Sequence, residues 1–552
     1  MAVRSLVATL ALCVFARAAP APAVLEPRLG SGVDLVDYAP KSTSCPSTAL
    51  VRKADSISSD EKNFVSSRKP KADQGLATWL RKQGNFSTAS QPSVGFTSSG
   101  GGYRALLETA GVIQAIDCRD SSVGTSGIFQ GLTYEAGLSG GSWFLSSLAG
   151  NNWPTVSSLR DSLWEQAFQA SLLLPANILA SDEYAKVAVD LTAKKAAGFD
   201  STIVDPYARL LSYQLLHGED GGANIRLSSL AGLSNFTSYN VPYPIITALG
   251  VDNSYSGQCY PTLNATQYEF TPYEYGSWDQ GVAAFARSQY MGSSLTNGQP
   301  TTANKCIKDY DNLGYVFGTS SDIFASVCEA IEPANTGNAS LAQVLESLVD
   351  KTKTPAFQDL FGIYPNPFYK HPESPEVNQH KLITMADGGL AGQNVPIWPF
   401  IQKAGRVVDV LIANDNSADT TDYFPNGTEI RQTYLNAQAA GLTRMPFVPE
   451  VSEFVAKGLN KRATFFGCND TSKVFVIYLP NVNYTFMSNQ PTSKIQYSVA
   501  ETNAMIKNGN AIATQNGEQG WPFCFACGIK NRDAGALPGG CDACFTKYCY
   551  KR

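Results

Sequence analysis

The sequence predicts an α/β fold: three α/β/α layers around a central, mostly parallel sheet, stapled by disulfides. Three observations predict it. Short Val/Ile/Leu-rich runs recur between loop residues, the pattern of strands buried on both faces. Helical periodicities alternate with those runs. Twelve cysteines sit in a chain whose N-terminus reads as a secretory leader.

The elements follow in order. Arg4 supplies a positive start, residues 6–15 an apolar run too short to span a bilayer, and Ala16-Arg17-Ala18 a small-x-small cleavage site. Residues 1–18 are read as a signal peptide, and 19–44 as a flexible Pro/Ala/Ser-rich lead-in or pro-segment. Residues 45–552 are read as one catalytic domain with a Cys-rich end, since no linker divides them. A strand is expected at 94–97, then a helix at 103–116 with Leu106, Leu107, Ala110, Val112 and Ile113 spaced for burial. A strand at 131–136 leads to a helix at 140–149. Residues 159–174 read as a helix ended by Pro175, and 341–349 as another. Later strands are expected at 245–249, 382–385, 407–412 and 474–479.

Hydrophobic residues make up 43% and charged residues 16%, with a net charge of −5. That balance excludes a basic nucleic-acid face and a polybasic membrane patch. No later stretch reads as a transmembrane helix, and the polar C-terminus carries no lipid-anchor signal. Sequons stand at Asn85, Asn235, Asn264, Asn338, Asn426, Asn469 and Asn483. With the leader they imply a secreted, extracellular glycoprotein, free or held at the cell wall. Loss of Cys13 with the leader leaves eleven cysteines, hence one free thiol or an unusual pairing. Cys524-x-x-Cys527 and Cys541-x-x-Cys544 with Cys549 have zinc-ribbon spacing, but behind a leader disulfides are the stronger reading.

Three segments carry chemistry. Gly137-Leu138-Ser139-Gly140-Gly141 matches G-x-S-x-G, in which a serine is exposed on a sharp strand-to-helix turn and glycines let neighbouring backbone pass. By itself this is equally a Gly-rich loop. Ser99-Gly100-Gly101-Gly102-Tyr103-Arg104 leaves backbone N–H groups uncrowded, a nest for an oxyanion, with Arg104 able to face a phosphate. A nucleotide-phosphate loop is the weaker reading, since no Lys-Ser/Thr follows. Asp387, in Met385-Ala386-Asp387-Gly388-Gly389-Leu390, stands at a strand end, where a poorly solvated carboxylate can act as a base. The three histidines, His217, His371 and His380, lack a catalytic setting. A His-dependent triad, with Glu219 or Asp322 as its acid, is the alternative on paper.

Together with Glu274-Tyr275-Gly276-Ser277-Trp278-Asp279, Phe317-Gly318-Thr319-Ser320-Ser321, Asn394-Val395-Pro396 and the Cys-rich end, these segments resemble the fungal secreted lysophospholipase (phospholipase B) family. That family groups with cytosolic phospholipase A and patatin-like folds. The resemblance runs from about Cys45 to the C-terminus. It implies Ser139 as nucleophile, Asp387 as its base without histidine, Gly101 and Gly102 as oxyanion-hole donors, and Arg104 as binder of the substrate phosphate or support of the site. It implies no cofactor and no catalytic metal. The implied substrates are phospholipids and lysophospholipids, met transiently at a membrane or micelle surface, with release of free fatty acid. A His-dependent esterase and a catalytically silent surface glycoprotein are the competing readings.

Overall fold

The computed structural model describes residues 37–171, 179–251, 261–324, 360–533 and 537–551. The leader, most of the lead-in, the helix expected at 341–349 and the sequon at Asn338 lie outside the described residues.

The main sheet is built from β1 (Val51–Lys53), β2 (Val94–Ser98), β3 (Leu132–Gly137), β4 (Tyr243–Val251), β5 (Gln267–Phe270), β6 (Glu274–Ser277), β7 (Ala284–Arg287), β8 (Gly362–Pro365), β9 (Leu382–Ala386), β10 (Val410–Asp415), β11 (Thr464–Phe466) and β12 (Phe475–Pro480). Its order is β11-β12-β10-β2-β3-β4-β5-β6-β7-β1, with β9 and β8 joining at β4. The stretch β12-β10-β2-β3-β4 is parallel and carries the site. Antiparallel strands extend it on both sides.

Every residue of β2, β3, β10 and β12 is buried. Successive side chains on a strand point to opposite faces, so both faces are covered. Helices Ser59–Gln83, Gly102–Ile116, Gly140–Gly150, Leu313–Ser320 and Val499–Ala513 pack on the sheet or on one another. The expected strands and the helices at 103–116 and 140–149 are found within a few residues of their predicted bounds. The helix expected at 159–174 differs over its described part; residues 172–174 and Pro175 lie outside the described residues. It is a turn at Val156–Leu159, a π-helical turn at Arg160–Trp164 and a last turn at Glu165–Ala167. There the Phe168 carbonyl leaves the helical ladder and accepts the Tyr497 N–H, while the Phe168 ring packs on Tyr103 and Trp164.

The register at β4 brings the site together. Tyr243–Ile246 pairs in parallel with β3, and Ile246–Leu249 pairs antiparallel with β5. Both partners reach Ile246, so they occupy opposite edges. β9 pairs with Leu249–Val251, overlapping β5 at Leu249, and so shares the edge of β3. The two strands run toward each other along one edge. β3 ends opposite Ile246 and β9 opposite Leu249, leaving Thr247 and Ala248 between them.

Disulfides Cys45–Cys306, Cys468–Cys549, Cys524–Cys544 and Cys527–Cys541 staple the two ends of the described chain, and the zinc-ribbon spacing is taken up by them. Far from the ends, Arg406 bonds Glu61 of the helix Ser59–Gln83 and Glu269 of β5, all three almost fully buried. Removing the charge leaves two buried carboxylates unpaired. Arg406→Leu is therefore expected to cost about 3–5 kcal/mol in urea unfolding.

Candidate active site

Ser139 follows β3 and caps the helix Gly140–Gly150, whose positive N-terminal end it occupies. Its backbone is at φ 52°, ψ −122°, a conformation that costs a non-glycine residue about 1–3 kcal/mol. The strain is held by neighbours. The Ser139 N–H donates to Ser320 O and Oγ, both at 3.1 Å, and Ser320 Oγ in turn donates to Thr247 O in the gap between the strand ends. Ser142 Oγ donates to Ser139 O at 2.7 Å.

Asp387 directly follows β9 and meets Ser139 across that gap. Its N–H donates to Asp322 O, and its Oδ1 accepts the Gly389 N–H at 2.8 Å. Burial pushes the carboxyl up to about 6. The hydrogen bonds from Gly389 N–H and the Ser139 side chain work against that rise. Asp322, weighed from sequence only as a triad acid, stands beside it, and burial holds its carboxyl well above the usual range.

The nest completes the group. An added Cβ on Gly100 would lie 2.7 Å from Ser139 Cβ, and one on Gly140 would lie 2.1 Å from Gly102 O. The glycines thus permit the nest and the serine turn to touch. Gly101 and Gly102 take φ of 139° and 60°. Among the described residues neither of their N–H groups has an acceptor. Arg104 lies behind the nest, 1% exposed. Its Nε donates to Asn416 O at 3.0 Å, and its Nη1 to Gln490 O and Thr492 Oγ1. Burial lowers the guanidinium to about 10.

The structure brings Ser139, Asp387, Gly101, Gly102 and Arg104 together. It does not bring the histidines. His217 faces Ser162, His371 faces Ser374, and none of the three bonds Ser139 or Asp387 among the described residues. Sequence reasoning missed Ser320 and Asn394 as site residues. Both sit in segments singled out for their resemblance, 317–321 and 394–396, and that was their only signal. Of the sequons, Asn85, Asn264, Asn469 and Asn483 are exposed, Asn426 is partly exposed, and Asn235 spends its amide on Asn152 O.

The central mixed, mostly parallel sheet has the fold of a cytosolic phospholipase. Human GIVD cytosolic phospholipase A2 superposes with a TM-score of 0.70 at 18% identity, over 90% of this chain and 72% of that one. The lysophospholipase catalytic domain family matches residues 94–552. Lysophospholipase 2 of Aspergillus fumigatus is 35% identical over 93% of each chain. Lysophospholipase 1 of Saccharomyces cerevisiae is 35% identical over 93% of this chain and 83% of its own. The chain belongs to the lysophospholipase family, and is an enzyme of that class.

A strained serine turn has a thermodynamic signature. Ser139→Gly is expected to abolish activity and raise stability to urea by about 1 kcal/mol. Ser139→Ala keeps a Cβ at the same φ and should lose activity without that gain.

Proposed function

We propose that this enzyme hydrolyses acyl esters of lysophospholipids and phospholipids through a Ser139–Asp387 dyad, releasing free fatty acid. The observation that carries the reading is the head-on meeting of Ser139 and Asp387 beside two N–H groups that have no acceptor, and with no histidine bonded to either residue, among the described residues. The Asp387 carboxylate takes the Ser139 proton as Oγ attacks the acyl carbonyl carbon. The oxyanion forms against Gly101 and Gly102 N–H, where each such donor is worth about 3 kcal/mol. The intermediate collapses, the ester oxygen leaves with the proton from Asp387, and the acyl group stays on Ser139. Water, losing its proton to Asp387, then attacks the acyl-enzyme, and as the Oγ–acyl bond breaks Asp387 returns that proton to Ser139 Oγ, freeing the fatty acid and restoring the dyad.

Arg104 fits the supporting role better than direct phosphate binding, because Nε and Nη1 are already committed. A supporting role predicts that Arg104→Ala lowers kcat on lysophosphatidylcholine and on a neutral monoacylglycerol alike. A loss confined to the phospholipid would favour phosphate binding. Secretion rests on the leader and the exposed sequons. It is tested by N-terminal sequencing of protein from the medium, expected to start near Ala19, and by a mass decrease with glycosidase.

Ser139→Ala and Asp387→Asn should each abolish fatty-acid release, while replacement of all three histidines should leave it intact. Loss of activity in a histidine variant with the fold intact would support the triad instead. As a base, Asp387 must be ionised, so kcat should rise with pH through about 6 and then level off. Stability runs the other way. The folded pKa is raised, so stability present at low pH is lost as pH climbs toward 6. Asp387→Asn should therefore raise the melting temperature at pH 7 and change it little at pH 4.

A further inference from the structure

We propose that Asn394 is the positioning residue of the oxyanion hole, holding the Gly100–Gly101 peptide in the orientation that aims the Gly101 N–H at the reacting carbonyl. This rests on the reading of Gly101 and Gly102 as oxyanion donors. Asn394 Oδ1 accepts the Gly100 N–H at 3.1 Å, and Nδ2 donates to Gly100 O at 3.2 Å. The main-chain carbonyl of Asn394 shares the same N–H at 3.3 Å. The side chain therefore grips both polar groups of Gly100.

The grip on Gly100 O is the one that matters for chemistry. Gly100 C=O and Gly101 N–H belong to a single planar trans peptide, so the direction of one sets the direction of the other. A donor on the carbonyl also polarises the peptide and strengthens its N–H as a donor. Glycine has little intrinsic preference to hold such a plane, and Gly101 already sits at φ 139°. Ser99 Oγ donates to Gly100 O at 3.1 Å from within the loop, and Asn394 adds the restraint from outside it, the only one of the two that also takes the Gly100 N–H.

Asn394 is itself fixed. The second Nδ2 hydrogen goes to Ser417 Oγ at 2.8 Å, and its backbone N–H goes to Glu429 Oε2 at 2.7 Å. Its place in the chain adds a second consequence. Asn394 lies on the segment that leaves β9 through Asp387, and its Oδ1 and Asp387 Oδ1 both border Gly389. One loop thus carries the base and orients the hole, so the two move as a unit.

The test uses the full chain with Asn394→Ala and the near-isosteric Asn394→Asp, with melting temperature as the fold control. Hydrolysis of lysophosphatidylcholine should show kcat reduced roughly 10- to 100-fold with KM within about twofold, below the loss for removing a donor outright. Labelling of Ser139 by a fluorophosphonate should slow by a similar factor. Asn394→Asp should recover part of its kcat relative to wild type as pH falls, since a protonated carboxyl again donates to Gly100 O. A purely structural role would not produce that rescue. Wild-type kcat and labelling in a folded variant, or a rise in KM alone, would overturn the proposal. Ser139→Ala in the same assay separates the two layers: activity remaining there strikes the nucleophile reading, whereas its loss beside normal Asn394 variants strikes only this proposal.

Discussion

The site depends on one edge of β4. A strand edge normally serves one neighbour along its length, but here it serves two that arrive from opposite ends, β3 in parallel and β9 antiparallel. Where they stop short of each other, Thr247 and Ala248 have no strand partner on that edge, although β5 pairs them on the other. The gap is closed by Ser320, which donates its hydroxyl to Thr247 O and accepts the Ser139 N–H. Two strand ends are thereby placed on a common rail, and just beyond them stand Ser139 and Asp387, 248 residues apart in sequence. A one-residue slip of either strand would turn its side chains to the opposite face.

That geometry also sets the chemistry available. Because the strand ends meet inside the fold, Asp387 is desolvated, and desolvation lifts its carboxyl to about 6. An ordinary aspartate is too weak a base for a serine hydroxyl. One lifted to this value stands near the range where histidine normally works, which is what the proposed Ser139–Asp387 dyad requires in place of a third residue. The burial cost is not small, and the serine strain adds to it. The surrounding sheet, with β2, β3, β10 and β12 buried on both faces, is what can carry both.

Much of this was legible in the chain. The strands buried on both faces declared themselves by composition, and the three glycine-rich turns at 100–102, 137–141 and 387–389 by their residue types. What was not legible was the long-range polar framing. Asn394 and Gly100 are 294 positions apart, and Ser320 and Ser139 are 181 apart. No local periodicity marks an asparagine or serine whose partner lies so far along the chain. The helix expected at 159–174 misled for a related reason. Its apolar spacing is real, but a hydrogen bond from Tyr497, more than 300 residues away, ends it at Phe168.

Arg104 shows why a buried cation beside the nest does not spoil the base. Its guanidinium reaches three carbonyl or hydroxyl oxygens on two distant segments, at 416 and at 490–492, a fan of donors that lysine could not reproduce. Even lowered to about 10 by burial, it stays charged at neutral pH. Its Coulombic partners are Tyr497, Asp415, Asp419 and Glu108, and it is not among the groups that shift Asp387. An arginine facing Asp387 would have pulled that carboxyl back toward an ordinary, weakly basic aspartate. Set behind Gly101, with Nη2 2.5 Å from where a Cβ on that glycine would sit, it places positive potential at the proposed oxyanion hole and leaves Asp387, the proposed base, its raised pKa.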